Sequence, residues 1–423
     1  MISILRHHAT RFADHTAVIS HGRKVTYAQL LPMVLTEVQR LQEQEGVQPG
    51  QVYQFVASQD VDYLVRFFAL HVIGAICAPV DALMPLPAYH NTEVSDILFT
   101  TGSTSVPKGV LLSFDAVLAD AENLIEAHHY THDLTFVICG PIHHFGSWSK
   151  VMPTLLVGGT LCLLDGLKDT EALFDALGSA PRTATFLVPS AIRMLMQLSS
   201  RRLQSLADNI DFIETGAAPI ATSDMEQLRQ LLPHTRLYNT YASTETGVVC
   251  TYPFHQQTPL PGCVGPAMRH AHVRLDDEGH IVVTGRMIMS GYLHDAQCPA
   301  EIVTTDIGRL DPDTGYLFIT GRDSDFINVG GLKVAPAEVE DAAMSLPGVQ
   351  DCICVAHPHA IMGQVPRLLV VMQPGVVFNR KSLILHLKSR LESYKIPLLY
   401  EEVAEVRKTF NGKKDRKAYK LSI

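Results

Sequence analysis

GRDSDFINVGG, residues 321–331, decides how this chain divides. Its three glycines among polar residues read as a joint and not as the interior of an element. Upstream, strand-like and helix-like stretches alternate. DVDYLVRFFALHVIGA (60–75) has the apolar spacing of a helix and runs into the strand-like ICAPV (76–80), while TATFLVPS (183–190) reads as a strand leading into a helix at AIRMLMQLSS (191–200). Such alternation is the pattern of an α/β layered domain. Downstream the order changes: a helix starting near Pro336 (APAEVEDAAMSLPG), strands QDCICVAH and RLLVVMQ, then a helix SLILHLKSRLES that stops before Pro397. The expected class is therefore α/β, with a large layered N-terminal domain over residues 1–322 and a small, mobile α+β domain over 323–423, joined by a hinge.

The bulk properties agree. A chain of 423 residues with 47% hydrophobic content is too long for a single core. A formal net charge of -9 argues against a general nucleic-acid binder. Eight cysteines are scattered without a C-x-x-C pair, so neither a disulfide framework nor a zinc ribbon is indicated, and a reducing cytoplasm is expected. The start, MISILRHHATRFADH, lacks the apolar core of a signal peptide, and VMPTLLVGGTLCLL is too short to span a bilayer.

TTGSTSVPKG, residues 100–109, gathers glycine, small hydroxyls and a lysine into a loop able to face an anion. It is not a Walker loop: counting from Gly102, the second Walker glycine would be Pro107, and the Ser/Thr after the lysine is Gly109. By itself such a loop is more often a surface turn than an ATP site. Taken alone, Glu245 and Asp306 would likewise be solvated or helix-capping carboxylates, and RKTFNGKKDRKAYK a solvated basic tail.

The other strings change that reading. GAAPI (216–220), YNTYASTETG (238–247), the run from TTDIG at 304 to PAEVE at 340, and KTFNGKK (408–414) follow in this order. Together with the loop they resemble the AMP-forming adenylating superfamily of acyl- and aryl-CoA synthetases, luciferases and nonribosomal peptide synthetase adenylation domains. The resemblance runs from RKVTYAQLL at 23 to the C-terminal lysines. It implies that Thr100, Thr101, Gly102, Ser103, Thr104 and Lys108 hold the β- and γ-phosphates of ATP. Glu245 would carry Mg²⁺, and Thr244 would donate to the α-phosphate. Tyr241 would stack on adenine over Gly216, Ala217 and Ala218, near Asn239, while Asp306 with Arg322 would take the ribose hydroxyls. Lys413 would be the catalytic lysine, bridging the acid's carboxylate and the α-phosphate, and Ser324 the hinge position. Val329, Gly330 and Gly331 would line the thiol tunnel after the small domain rotates.

The chemistry suits such residues, because a carboxylate attacking a polyanion needs alignment and cationic screening of the charge that builds up. His143, His144, Gly146 and Trp148 are expected around the acid. By the resemblance, amino-acid-activating members place an aspartate just after the segment matching PIHHFG to pair with the substrate ammonium; none stands here, which argues against an α-amino acid, and the flat side chains favour an aryl acid over a long alkyl chain. The thiol would come from CoA or from the phosphopantetheine of a separate acyl carrier protein. A non-catalytic AMP binder is the reading from another class, and retention of Lys413, Glu245, Asp306 and Arg322 argues against it.

Four departures from the family pattern stand out: Ser105 in place of a loop glycine, Thr305 before the ribose aspartate, Arg407 in place of proline, and only a dozen or so residues between ICAPVD and ILFTTGST. The last implies a shortened N-terminal domain whose exposed apolar surface a second subunit, as in a homodimer, would cover.

Overall fold

The structure is a computed structural model describing residues 1–100, 108–295, 297–409 and 414–419. The expected alternation appears as an eight-stranded sheet in the order Gly247–Pro253, Arg236–Ser243, Ile210–Gly216, Thr183–Leu187, Thr135–Ile138, Thr160–Leu163, Thr16–Ser20, Arg23–Thr26. From Arg236–Ser243 to Thr16–Ser20 the neighbours are parallel, and the antiparallel pairs lie at the two edges. Parallel strands need crossovers, and here helices such as Pro189–Gln204 and Thr222–Leu231 supply them.

A second sheet of five strands runs Gly291–Tyr292, Lys108–Ser113, Val94–Thr100, Ile76–Val80, Val52–Val56. Helix Val61–Ile73 precedes Ile76–Val80, as its sequence predicts. Asp60 accepts from the Tyr63 amide at its N-terminus, and Gly74 closes its C-terminus at φ 81°. A third sheet carries Ile302–Leu310 beside Leu317–Arg322, with Asp306 opposite Arg322.

Beyond Arg322 the joint is more structured than its glycines imply. A short 3-10 turn, Asp323–Asp325, leads into a hairpin of Ile327–Val329 and Leu332–Val334, turned by Gly330 (φ 58°) and Gly331 (φ 92°). The hairpin belongs to the small sheet with Gly363–Met372, Val349–His359 and Leu399–Glu402. Helices Pro336–Met344 and Arg380–Lys388 accompany it, the second ending short of the sequence expectation. Cys352 and Cys354 are fully buried in this domain's core.

The segment between ICAPVD and ILFTTGST partly covers its own sheet. Leu86 and Tyr89 pack against the cluster of Ile76, Ala78, Val94 and Ile97, while Leu83 stays exposed.

Candidate active site

Three strands meet where the nucleoside is expected. Tyr241 lies on Arg236–Ser243, Asp306 on Ile302–Leu310 and Arg322 at the end of Leu317–Arg322. The Tyr241 hydroxyl donates to Asp306 Oδ2 at 2.8 Å, and Arg322 Nε donates to Asp306 Oδ1 at 2.8 Å. Burial, reinforced by the Asp306 charge, pushes the Tyr241 phenol far up, so it stays a donor. Each Asp306 oxygen retains acceptor capacity, which suits a pair of vicinal hydroxyls.

The floor beside this cluster is cut close. A Cβ on Gly216 would come within 2.6 Å of the Thr240 carbonyl oxygen. Ala217 is exposed and sits at φ 65°, a left-handed conformation that costs a non-glycine residue about 1–2 kcal/mol. Half-buried Ala218 follows it. Asn239 is committed elsewhere, since its amide donates to the Cys263 carbonyl at 2.8 Å.

The phosphate side is assembled by a contact the motifs do not announce. Thr100 and Lys108 face each other across an antiparallel pair, which places both ends of the loop; Thr101, Gly102, Ser103, Thr104 and Ser105 lie outside the described residues. Strand Gly291–Tyr292 adds to the same sheet beside Lys108–Ser113. Its Tyr292 sets its ring 5.3 Å from the Lys108 ammonium and donates its hydroxyl to Glu245 Oε1 at 3.2 Å. One tyrosine thus joins Lys108, expected at the phosphates, to the expected magnesium carboxylate. Glu245 and Thr244 sit in the turn between two strands, where Ser243 and Thr246 bond each other's backbone amides through their hydroxyls. Behind that turn, buried Asp120 accepts from the Val248 amide at 2.6 Å, and burial pushes its carboxyl up to about 6.

Among the described residues no group of three or more His, Cys, Asp or Glu could hold a metal ion alone. A lone carboxylate beside a phosphate loop fits Mg²⁺, which takes one or two carboxylates and fills its shell with phosphate oxygens and water.

On the acid side, His143 and His144 pack edge to face at 4.4 Å between ring centres. Burial and the neighbouring His143 lower the His144 imidazole to about 4, so it is neutral at pH 7. Trp148 is buried in the core cluster, its ring meeting Phe67 edge to face. The ring set against Gly146 is that of half-buried Phe186, which the sequence reading missed: a Cβ on Gly146 would lie 2.9 Å from it, and one on Gly216 3.6 Å. Beneath it lies Lys150, buried, with its ammonium 5.3 Å from the Phe186 ring centre and 2.7 Å from Glu214 Oε1. An apolar run such as TATFLVP gives no hint of which member lines a pocket, because strand alternation fails in a sheet covered on both faces.

The chain matches the AMP-binding enzyme family over residues 5–92 and 85–293, and the AMP-binding enzyme C-terminal domain over 338–413. It belongs to the AMP-binding enzyme family. Among its relatives is a 3-[(3aS,4S,7aS)-7a-methyl-1,5-dioxo-octahydro-1H-inden-4-yl]propanoyl:CoA ligase of Rhodococcus jostii (strain RHA1), 31% identical over 76% of this chain and 64% of that one. A 2-succinylbenzoate–CoA ligase of Staphylococcus aureus (strain JH9) is 29% identical over 78% of this chain and 67% of its own length. The match with the first thus spans less than two thirds of that relative. In three dimensions the chain superposes on ATP-bound MatB from Rhodopseudomonas palustris with a TM-score of 0.85 at 21% identity, covering 99% of each chain, so the two share a fold.

Ser324, in the 3-10 turn, is exposed and donates to Asp325 Oδ1 at 3.3 Å. Lys413 lies outside the described residues. Its neighbours are placed: Lys408 and Lys414 form a β-bridge, and Lys414 and Arg416 both bond Glu340, buried in the small domain. Among the described residues no helix is long and apolar enough to cross a membrane.

Proposed function

We propose that this chain joins a carboxylic acid to ATP, giving acyl-AMP and pyrophosphate, and then passes the acyl group to the thiol of CoA. In the first half-reaction a carboxylate oxygen attacks the α-phosphorus and the bond to pyrophosphate breaks. In the second, the thiolate sulfur attacks the acyl carbon and AMP leaves. The observation that carries the reading is the junction of two sub-sites: a buried Asp306 held by Tyr241 and Arg322, and Lys108 linked through Tyr292 to Glu245. The first suits a ribose, the second a magnesium polyphosphate.

In this reading Asp306 orients the nucleoside and Gly216 lets adenine approach the backbone. Lys108 and the loop hold the leaving pyrophosphate. Glu245 would hold Mg²⁺, which supplies charge neutralisation to the phosphates; Asp120 keeps the turn carrying Glu245 in place. Lys413 would screen the charge that builds between carboxylate and phosphate. The small domain would rotate near Ser324 to bring Gly330 and Gly331 to the thiol path. An aryl acid is favoured, since Phe186, His143 and His144 offer flat, neutral walls around Gly146, and the relative named above as a 2-succinylbenzoate–CoA ligase takes an aryl acid by its name.

Incubating the protein with MgATP, CoA and a panel of aryl and alkyl acids, with products read by mass spectrometry, tests this. Acyl-CoA with AMP is the expected outcome. Acyl-AMP with no CoA thioester would transfer the second step to a carrier-protein thiol, and no product with any acid would overturn the reading.

A further inference from the structure

Helix Thr222–Leu231 begins two residues after GAAPI, and its N-cap is Ala221, which has no side chain able to accept from the first-turn amides. A helix start normally finds such an acceptor locally. Here it comes from the other domain. Asp341, on small-domain helix Pro336–Met344, accepts from the Thr222 amide at 2.8 Å through Oδ1 and from the Thr222 hydroxyl at 3.2 Å through Oδ2. Ala221 itself packs into the small domain's core cluster.

A second contact lies alongside. Arg193, on helix Pro189–Gln204, holds large-domain Asp224 with Nη2 at 2.5 Å and small-domain Asp351 with Nη1 at 2.9 Å. All three side chains are mostly buried, with 12%, 7% and 11% exposure, so this pair is less screened than a surface ion pair. Gln350 donates to Gln197 at 3.1 Å on the same seam. Asp351 is also approached by Lys408 at 3.5 Å and Lys414 at 3.9 Å, which stand on either side of Lys413 in the sequence.

We propose that Asp341–Thr222 and Asp351–Arg193 form an interdomain latch, which sets how long the small domain stays in this orientation and so how turnover divides between the two half-reactions. The proposal rests on the acid–thiol ligase reading. Arg193 and Asp341 are positioning residues: neither lies in the nucleotide or acid sites described above, and both act through the placement of helix Thr222–Leu231 and of Lys408 and Lys414. Rotation of the small domain must break both contacts together, because they lie on one seam while the chain passes between domains at 322–325.

The test compares the parent protein with Asp341→Ala and Arg193→Ala, and with Arg193→Lys, which keeps the charge. Acyl-AMP formation is followed by ATP–pyrophosphate exchange, and thioester formation by mixing synthetic acyl-AMP with CoA. Each alanine variant is expected to change the ratio of the two rates about fivefold in the same direction, the size of a lost cap, with Arg193→Lys between it and the parent. Limited proteolysis within residues 321–326, read from fragment masses, should quicken by a similar factor and needs no catalytic activity. Should Arg193→Ala not fold with Asp224 left buried and unpaired, Asp341→Ala alone decides. Equal change in both half-reactions, or unchanged ratio and cleavage rate, would overturn the latch. A parent that makes no acyl-AMP while the variants still expose the hinge would instead overturn the ligase reading and keep the latch.

Discussion

Replacing Asp306 by asparagine should reveal whether this carboxylate reads a ribose. The side chain is nearly isosteric. It can turn its oxygen to Arg322 Nε, which only donates, and its amide to the Tyr241 hydroxyl, which can accept, so both contacts of 2.8 Å survive. The fold around the site should therefore persist. What disappears is the charge and one oxygen's capacity to accept. A hydrogen bond to a charged group contributes about 1.5–3 kcal/mol and a neutral one about 0.5–1.5, so weakening two hydroxyl contacts should cost about 2–3 kcal/mol. That corresponds to roughly 30- to 150-fold in kcat/KM for ATP. The assay is acid-dependent ATP–pyrophosphate exchange with ATP, 2′-deoxy-ATP and 3′-deoxy-ATP. The parent should lose rate when either hydroxyl is missing, and Asp306→Asn should lose much less, because the interaction has already been removed. If the penalties for the missing hydroxyls are the same in variant and parent, Asp306 does not hold the ribose and the assignment of this cluster is refuted.

Three further changes probe other parts of the site. Lys413→Ala should lower acyl-AMP formation by about 100-fold or more while thioester formation from supplied acyl-AMP is largely retained; parallel loss of both would remove its assigned role. Phe186→Ala removes the ring resting against Gly146, and should shift preference by about tenfold toward bulkier acids across a panel, whereas an unchanged ranking would show that the ring does not bound the pocket. Asp120→Asn tests the buttress behind Glu245. The folded carboxyl titrates at about 6 against an ordinary 3.8, so the folded state binds more protons between those values and the parent loses stability as pH rises through that window. Relative to the asparagine variant, the parent's unfolding free energy in urea should fall by about 1.5 kcal/mol from pH 4.5 to 6 and level off near pH 7; a flat difference would contradict the burial argument.

Much of the fold was legible because its signals are local. Asp60 and Gly74 punctuate Val61–Ile73, and the apolar run QDCICVAH lies within strand Val349–His359 with Cys352 and Cys354 in the core. The cluster expected at the nucleoside was legible for a related reason: Tyr241, Asp306 and Arg322 stand in distinctive strings, and the structure brings all three into hydrogen-bond contact. The acid pocket was only half legible. PIHHFGSW shows flat side chains but not their direction, and helix geometry sent Trp148 inward to Phe67 while Phe186, almost forty residues later, came to stand against Gly146. The joint was read as loop because glycines at positive φ serve hairpins and hinges alike, and only strand pairing separates Gly330 and Gly331 from the turn at Asp323–Asp325.

By itself, then, the sequence determined the two-part α/β organisation, the membership in a family and the kinds of group that could meet a nucleotide, since periodicity, caps and motif strings are carried by neighbouring residues. Tertiary structure alone decided that Tyr292 would link Lys108 to Glu245, that Lys150 and Glu214 would pair beneath Phe186, and that Asp341 would cap a helix in the other domain. Those contacts join residues tens to more than a hundred positions apart. Their partners are chosen by the register of strands and the seating of one domain on another, which no local pattern encodes.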